Sequence, residues 1–390
     1  MKKKINDCII VIPLHLPLNY PCDYLDQTAK ILAKNNLIVL FDFRNPTHWL
    51  TTLKEIGKLT KSIRFLLNGR VRGQTYYRPF SFFPTRNIPF IFKINRLLGI
   101  FQLRFLLFLK RKKIIVWGFD PVIEPMIGKL GERLRIYDCI DFLGEDEYTK
   151  SAKEPEKRLF EKVDIVVFNS RGLYDQKINQ NGFPKKKSLV TVCGCNIDLF
   201  QNKVKGVPND LKQLKGIKIL LSGNFDYRLD IDLLNYIVNQ NPVLNFIFIG
   251  PILKDASKEF LNILKKKNVC YFGKKKKEEL PAYYQNSNVG IIPYKTSLNF
   301  VKYSNPMKTY EYLASGIPVV STKIEALKQY PEDLVYTTND YDNFSRALNN
   351  MISNWNNKKV TRAKQIAKIN SWDNKVAKIE EFILNQKYLF

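Results

Sequence analysis

The segment YSNPMKTYEYLASGIPVVST, residues 303–322, sets a lysine and a glutamate three positions apart, behind a proline and ahead of a glycine and an apolar run. Pro306 lacks only an N–H that a first helical turn leaves unpaired, so the spacing predicts a helix from Pro306, ended by Gly316, with the next buried strand in IPVVST. Lys308 then stands in the first turn, beside the positive end of the helix dipole, where an anion is favoured twice over. Glu311 lies on about the same face. A cation for a diphosphate and a carboxylate accepting from two vicinal hydroxyls, as a ribose presents, is one chemistry for this pair. A solvated (i, i+3) ion pair is the other.

Further candidates should sit after strands, because ligands of open α/β sheets bind at the strands' carboxyl ends. ILLSGNFDYRLD places Gly223 and Asn224 directly after a strand, where a small residue lets backbone N–H groups approach an anion, with Arg228 to add charge. The lysine run after Gly273 follows another strand and supplies Lys275. In the first half, IYDCIDFLGEDE offers Asp138, Asp141, Glu145 and Asp146. Asp141 is the preferred general base; capping of a following helix is the structural alternative for Asp138 and Asp141. His15, after the first strand, could also face a reacting group.

The elements that must position these residues alternate regularly. CIIVIP, LDQTAKILAKNN, LIVLFDF, KIIVWGF, LRIYDCID, EPEKRLFEKVD, IVVFNS and SLVTVCG read as strands joined by crossover helices. The rhythm restarts after QNKVKGVPNDLKQLKG with IKILLSG, DLLNYIVNQN, NFIFIGP and their successors. The expected fold is α/β, two Rossmann-like domains facing a cleft, over residues 1–205 and 206–370, with a C-terminal helix at 371–390 packing back on the first. A chain of 390 residues suits two such cores.

A net charge of +27 points to negatively charged partners: phosphates, anionic lipid or nucleic acid. Between residues 62 and 113, Arg and Lys interleave with Phe, Tyr, Leu and Ile, which suits a membrane surface, a buried helix with a solvated edge or, third, single-stranded nucleic acid. Arg104 interrupts the longest apolar run, so no spanning helix is expected. The basic, apolar N-terminus imitates a signal peptide, but two prolines and a histidine break it, and Cys8 to Pro13 reads as a first strand. Six cysteines without a C-x-x-C pair, and two histidines, argue against zinc and for a reducing cytoplasm.

NPMKTYEYLASGIPVVST resembles the nucleotide-sugar motif of GT-B glycosyltransferases, particularly the family 4 and group 1 enzymes. LLSGNFDYRLDIDLL, FIFIGP, VCYFGKKKKEELPAYYQNSNVGIIPY and SWDNKVAKIEEFI follow in that family's order. IYDCIDFLGED, EKVDIVVFNSRGLYDQ and VTVCGCNIDLF extend the likeness over nearly the whole chain. The resemblance implies a donor held mainly by the second domain and an acceptor by the first. Glu311 matches the glutamate that holds the donor ribose, and Lys308 a position near the diphosphate. Tyr303 stands where the pattern's other glutamate is expected, at the head of the turn Tyr303, Ser304, Asn305 and Pro306. Asn224 and Asp230 replace an Arg and Lys pair, with Arg228 between them, and the loop of Lys275 corresponds to one approaching the base. These departures leave the donor sugar and the anomeric outcome open.

The expectation is a glycosyltransferase moving a sugar from a nucleotide-diphosphate donor to a cell-surface glycan or lipid-linked acceptor. It would work without a metal or cofactor, in the cytoplasm at the inner face of the membrane. A nucleotide-sugar epimerase of the same fold is the alternative within the class, and a non-catalytic nucleic-acid-binding protein the alternative outside it.

Overall fold

A computed structural model of the chain describes residues 4–14, 23–42, 47–48, 72–81, 89–145, 147, 149–204 and 206–386. His15, Asp146 and, within the basic segment between 62 and 113, residues 62–71 and 82–88 lie outside the described residues.

The apolar runs become two parallel sheets. The first contains β1 Ile9–Pro13, β2 Leu37–Phe41, β3 Gly73–Tyr77, β4 Ile114–Gly118, β5 Leu134–Cys139, β6 Ile165–Phe168 and β7 Ser188–Val190, in spatial order β3-β2-β1-β4-β5-β6-β7. The second contains β8 Lys218–Ser222, β9 Asn245–Ile249, β10 Val269–Tyr271, β11 Val289–Ile292, β12 Val319–Ser321 and β13 Val335–Thr337, ordered β10-β9-β8-β11-β12-β13. Every residue of β1, β2 and β11 is buried, because helices cover both faces of a parallel sheet. Counted from its own first strand, the second sheet runs 3-2-1-4-5-6, the Rossmann order, the first runs the same with a seventh strand added at its edge, and in both the order reverses beside the first strand. That reversal opens a crevice at the strands' carboxyl ends.

The chain divides into one unit of residues 1–191 with 375–390 and another of 192–374. It enters the second unit ahead of the Lys, Gly, Pro and Asn cluster at 201–216 for an identifiable reason. The Cys195 N–H donates to the Asn370 carbonyl at 3.0 Å, Gln201 Nε2 donates to the Lys364 carbonyl at 2.8 Å, and Gly194 lies against the Trp372 ring, where a Cβ would come within 2.2 Å. The last helix, Trp372–Asn385, returns to the first unit. Its Val376, Ile379 and Ile383, at helical spacing, enter the core of Ile10, Ile12, Leu40 and Ile115, and Glu380 accepts from the Ile5 N–H at 3.0 Å.

Candidate functional site

The crevice of the second sheet lies between β8 and β11, and the segment 303–322 folds beside it. The helix begins at Met307, with Pro306 at its cap, one position later than the sequence suggested, and ends at Gly316 in the left-handed region, φ 86°. Its cap has no side-chain hydrogen bond.

Lys308 and Glu311 do pair, Nζ to Oε2 at 2.7 Å, yet the pair is not a solvated one. The Glu311 side chain is 4% exposed and that of Lys308 is 21% exposed. Tyr284 donates to the same Glu311 oxygen at 3.1 Å and is itself hydrogen-bonded to Ser222 Oγ at the end of β8. Since the phenol has one proton, and gives it to Glu311, the Ser222 hydroxyl must be the donor to Tyr284. Both bonds to Glu311 thus converge on Oε2, and Oε1 accepts none from the described residues. The side chain is mostly buried, yet Oε1 is not sealed off, so a ligand or water can supply the donor that the described residues do not.

Burial disfavours the Lys308 ammonium, but the facing carboxylate outweighs it and holds the pKa well above the ordinary lysine value. Burial pushes the Tyr284 phenol well up, so it remains a donor. Lys308 therefore stays cationic, with one of its three N–H groups on Glu311 and two to give.

The turn after β8 completes the site. Gly223 has φ 133°, and a Cβ there would stand 3.6 Å from Lys308 Cε and 3.8 Å from the Tyr294 hydroxyl, so the turn and the lysine are neighbours. Gly250 approaches so closely that a Cβ would lie 1.7 Å from the Gly223 carbonyl oxygen. The N–H groups of Gly223 and Phe225 are taken by the Ile249 and Pro251 carbonyls, which leaves the Asn224 N–H as the turn's own donor.

Arg228 is held by Asp226, Nε to Oδ1 at 2.8 Å and Nη2 to Oδ2 at 2.5 Å, and lies over the Tyr294 ring. The guanidinium is fixed near the turn with part of its donor set already used. Lys275 pairs with Asp210 at 2.8 Å, and Tyr283 donates to the same carboxylate oxygen at 2.7 Å. This cluster fastens the loop to the helix Asn209–Lys212. Ahead of the Met307–Ser315 helix, Tyr303 caps a short helix with its ring under Lys302, Ser304 Oγ donates to the Val301 carbonyl, and buried Asn305 accepts from Tyr310 at 2.9 Å. The structure gathers Gly223, Asn224, Arg228, Lys308 and Glu311 around one crevice, adds Ser222, Tyr284 and Tyr294, which sequence reasoning missed, and gives Lys275 to a separate cluster.

In the first unit Asp138 lies within β5 rather than after it, so it caps no helix. It is wholly buried opposite Lys375 of the returning helix, at 3.4 Å. Burial raises its carboxyl above the aspartate range, with Lys375 opposing. Asp141 stands half-buried at the bend beyond β5, and the helix that follows is capped at Ala152, so Asp141 does not cap it either. Beneath that bend, Lys177 bridges Glu156 at 2.5 Å and the Leu143 carbonyl at 2.6 Å, while Tyr137 donates to the other Glu156 oxygen at 2.8 Å.

Two Rossmann-like units in this order, with the last helix returning to the first, define a fold of the GT-B type. Residues 208–387 match the family described as "Glycosyl transferases group 1". The match covers most of the second unit and the returning helix, so this stretch of the chain is similar to the group 1 glycosyltransferases.

Among curated relatives, a Bacillus subtilis (strain 168) protein named for teichuronic acid biosynthesis as glycosyltransferase TuaH is 26% identical over 212 residues, 52% of this chain and 53% of its own. An uncharacterized 41.2 kDa protein in the cps region of Klebsiella pneumoniae is 24% identical over 234 residues, 59% of each chain. The matches thus span little more than half the length of those relatives. Over 98% of this chain, the fold is shared with sucrose-phosphate synthase (tll1590) of Thermosynechococcus elongatus, at a TM-score of 0.69, 16% identity and 99% of that chain. Anabaena Alr3699/HepE, solved with UDP and with UDP-glucose, superposes over 98% of this chain and all of its own, at TM-scores of 0.66 and 0.67 and 14% identity.

Proposed function

We propose that the protein is a glycosyltransferase that takes a sugar from a nucleoside-diphosphate donor bound in the second unit and passes it to a growing cell-surface or lipid-linked glycan. The single observation carrying this reading is the unsatisfied half of the Lys308–Glu311 pair. A carboxylate whose second oxygen is reachable and accepts from none of the described residues fits the vicinal hydroxyls of a ribose. A lysine with two free N–H groups at an uncapped helix start fits a diphosphate.

On this reading Lys308, the helix N-terminus and the Asn224 N–H stabilise the charge that develops on the departing nucleoside diphosphate, which is the larger electrostatic demand of the transfer. Glu311 and Tyr284 orient the ribose. Asp141 is the first unit's candidate for orienting or deprotonating the acceptor hydroxyl. Relatives named for teichuronic acid biosynthesis and for a cps region support a surface polysaccharide as the product, and a lipid-linked acceptor would put the reaction at the inner face of the membrane.

A thermal-shift screen against UDP, GDP, ADP and CMP, run together for wild type and Glu311→Ala, tests the donor site. A ligand that binds only the folded state raises the melting midpoint by mass action. One nucleotide should raise it in the wild type and not in the variant; no rise with any of the four removes the reading.

A further inference from the structure

The helix Pro89–Phe108 is apolar on two opposite faces. One face packs on the first unit through Ile100, Leu103 and Leu107, all buried, and through Gly99, where a Cβ would come within 2.7 Å of the Pro79 ring. The other face carries Phe90, Leu97, Phe101, Phe105 and Phe108, whose intervals of seven, four, four and three form one helical stripe. Their exposures run from 48% for Leu97 to 77% for Phe108. With Leu109 they make six of the eleven large hydrophobic residues that stand exposed among the described residues, so the exposure is concentrated on one element. Scattered apolar residues need no explanation, whereas a contiguous stripe of phenylalanines marks a contact surface.

Charge indicates what the contact is with. Residues 89–113 contain no Asp or Glu, and Lys93 and Arg104 stand exposed along the stripe's margin. The helix runs directly into Lys110, Arg111, Lys112 and Lys113. Arg111 takes a left-handed conformation, φ 49°, which few non-glycine residues adopt, and turns the chain there. Beside this turn is a hollow of 340 Å³ lined by Lys4, Asn6, Asp7, Arg111, Lys112 and Lys113. Asp7 pairs with Lys112, and it is the one acidic residue of the lining. Apolar rings flanked by cations, with a basic hollow at one end, complement a surface whose edge is phosphate and whose interior is hydrocarbon.

We propose that this helix docks the protein on an anionic lipid bilayer, with the phenylalanine stripe in the headgroup and acyl boundary and Lys93, Arg104 and Lys110–Lys113 against lipid phosphates. The inference rests on the membrane location proposed above and needs nothing from the nucleotide site.

Vesicle co-sedimentation of the full chain tests it, with phosphatidylcholine alone and with phosphatidylcholine mixed with phosphatidylglycerol. Wild type should pellet with the mixed vesicles, and less with phosphatidylcholine alone or in high salt. Phe101→Asp/Phe105→Asp should weaken binding to both by about tenfold or more. Lys93→Gln/Arg104→Gln should weaken mainly the preference for the anionic vesicle. All variants should keep the wild-type melting midpoint and nucleotide response, since the altered side chains are exposed. Wild type that stays in the supernatant, or a phenylalanine pair that can be replaced without effect, overturns the proposal. So does concentration-dependent self-association that the phenylalanine variant abolishes without any vesicle binding, which would assign the stripe to a second copy. Vesicle binding without any nucleotide response would leave the docking face standing and remove the donor site instead.

Discussion

The two sheets share a strand order but treat charge in opposite ways. In the first unit the buried charges are sealed: Lys375 and Asp138 are 1% and 0% exposed, and Lys177 and Glu156 are 3% and 4% exposed. In the second, Glu311 is just as buried, but its partner Lys308 remains open to solvent and the carboxylate keeps an oxygen in reserve. Burial of an ion pair therefore does not mark a ligand site by itself. Nor does an incomplete set of hydrogen bonds, since Asp138 Oδ2 also lacks a donor among the described residues. The marks are a cation that solvent still reaches, and a place beside the crevice where the strand order reverses.

The largest effect that could break this contrast belongs to the sealed side. Lys177→Met leaves Glu156 buried with only Tyr137 and the weak Cys139 thiol donor, both on Oε1, and frees the Leu143 carbonyl, and breaking a buried pair from one side costs about 3–5 kcal/mol. Urea unfolding of Lys177→Met should show a loss of that order, and Lys177→Met/Glu156→Leu should recover most of it, because the uncompensated charge is gone. A single variant that loses less than about 1 kcal/mol would mean that the pair is in effect solvated, as surface pairs are.

On the open side the expected effect is smaller and falls on binding. Glu311→Gln keeps the shape and an acceptor for Tyr284 but removes the charge that pairs Lys308 and would accept from a ribose. Hydrogen bonds to charged groups contribute about 1.5–3 kcal/mol, so calorimetric titration with the nucleotide that emerges from the thermal screen should show roughly a 10- to 150-fold weaker affinity. Unchanged affinity would show that the free oxygen is not what the ligand uses, and the contrast between the sheets would lose its functional meaning.

Much of this was legible in the sequence because parallel strands must be apolar throughout and helices are punctuated locally. Pro306 and Gly316 bracket their helix within one residue, and the alternation of runs yields both sheets. The polar partners were not legible, because nothing local specifies them. Tyr284 lies 27 residues from Glu311 and reads as a core aromatic, which it is, except at its hydroxyl. Ser222 reads as the end of a strand. Asp138 reads as a residue after a strand, since a parallel strand rarely contains Asp; it is tolerated inside β5 because Lys375 reaches it from 237 positions away. Gly290 looked like any strand glycine, yet a Cβ there would come within 2.4 Å of the Tyr312 ring, whose hydroxyl accepts from the Ser222 N–H.

The smallest effect tests whether Asp138 is as sealed as its surroundings indicate. Burial raises its carboxyl above the ordinary 3.8, more than Lys375 lowers it. Between 3.8 and that raised value the folded protein holds this proton more often than the unfolded chain does. Its contribution to stability therefore falls as pH rises through the window, by at most about 1.4 kcal/mol per pH unit for one proton. Asp138→Asn removes the titration of this carboxyl and leaves Lys375 facing an amide. Unfolding midpoints followed upward from pH 3.8 should accordingly separate in slope as well as in level, the wild type losing ground relative to Asp138→Asn. Parallel curves would mean that Asp138 titrates as an ordinary aspartate, and the sealed pair of the first sheet would then be no more closed than the pair at Lys308.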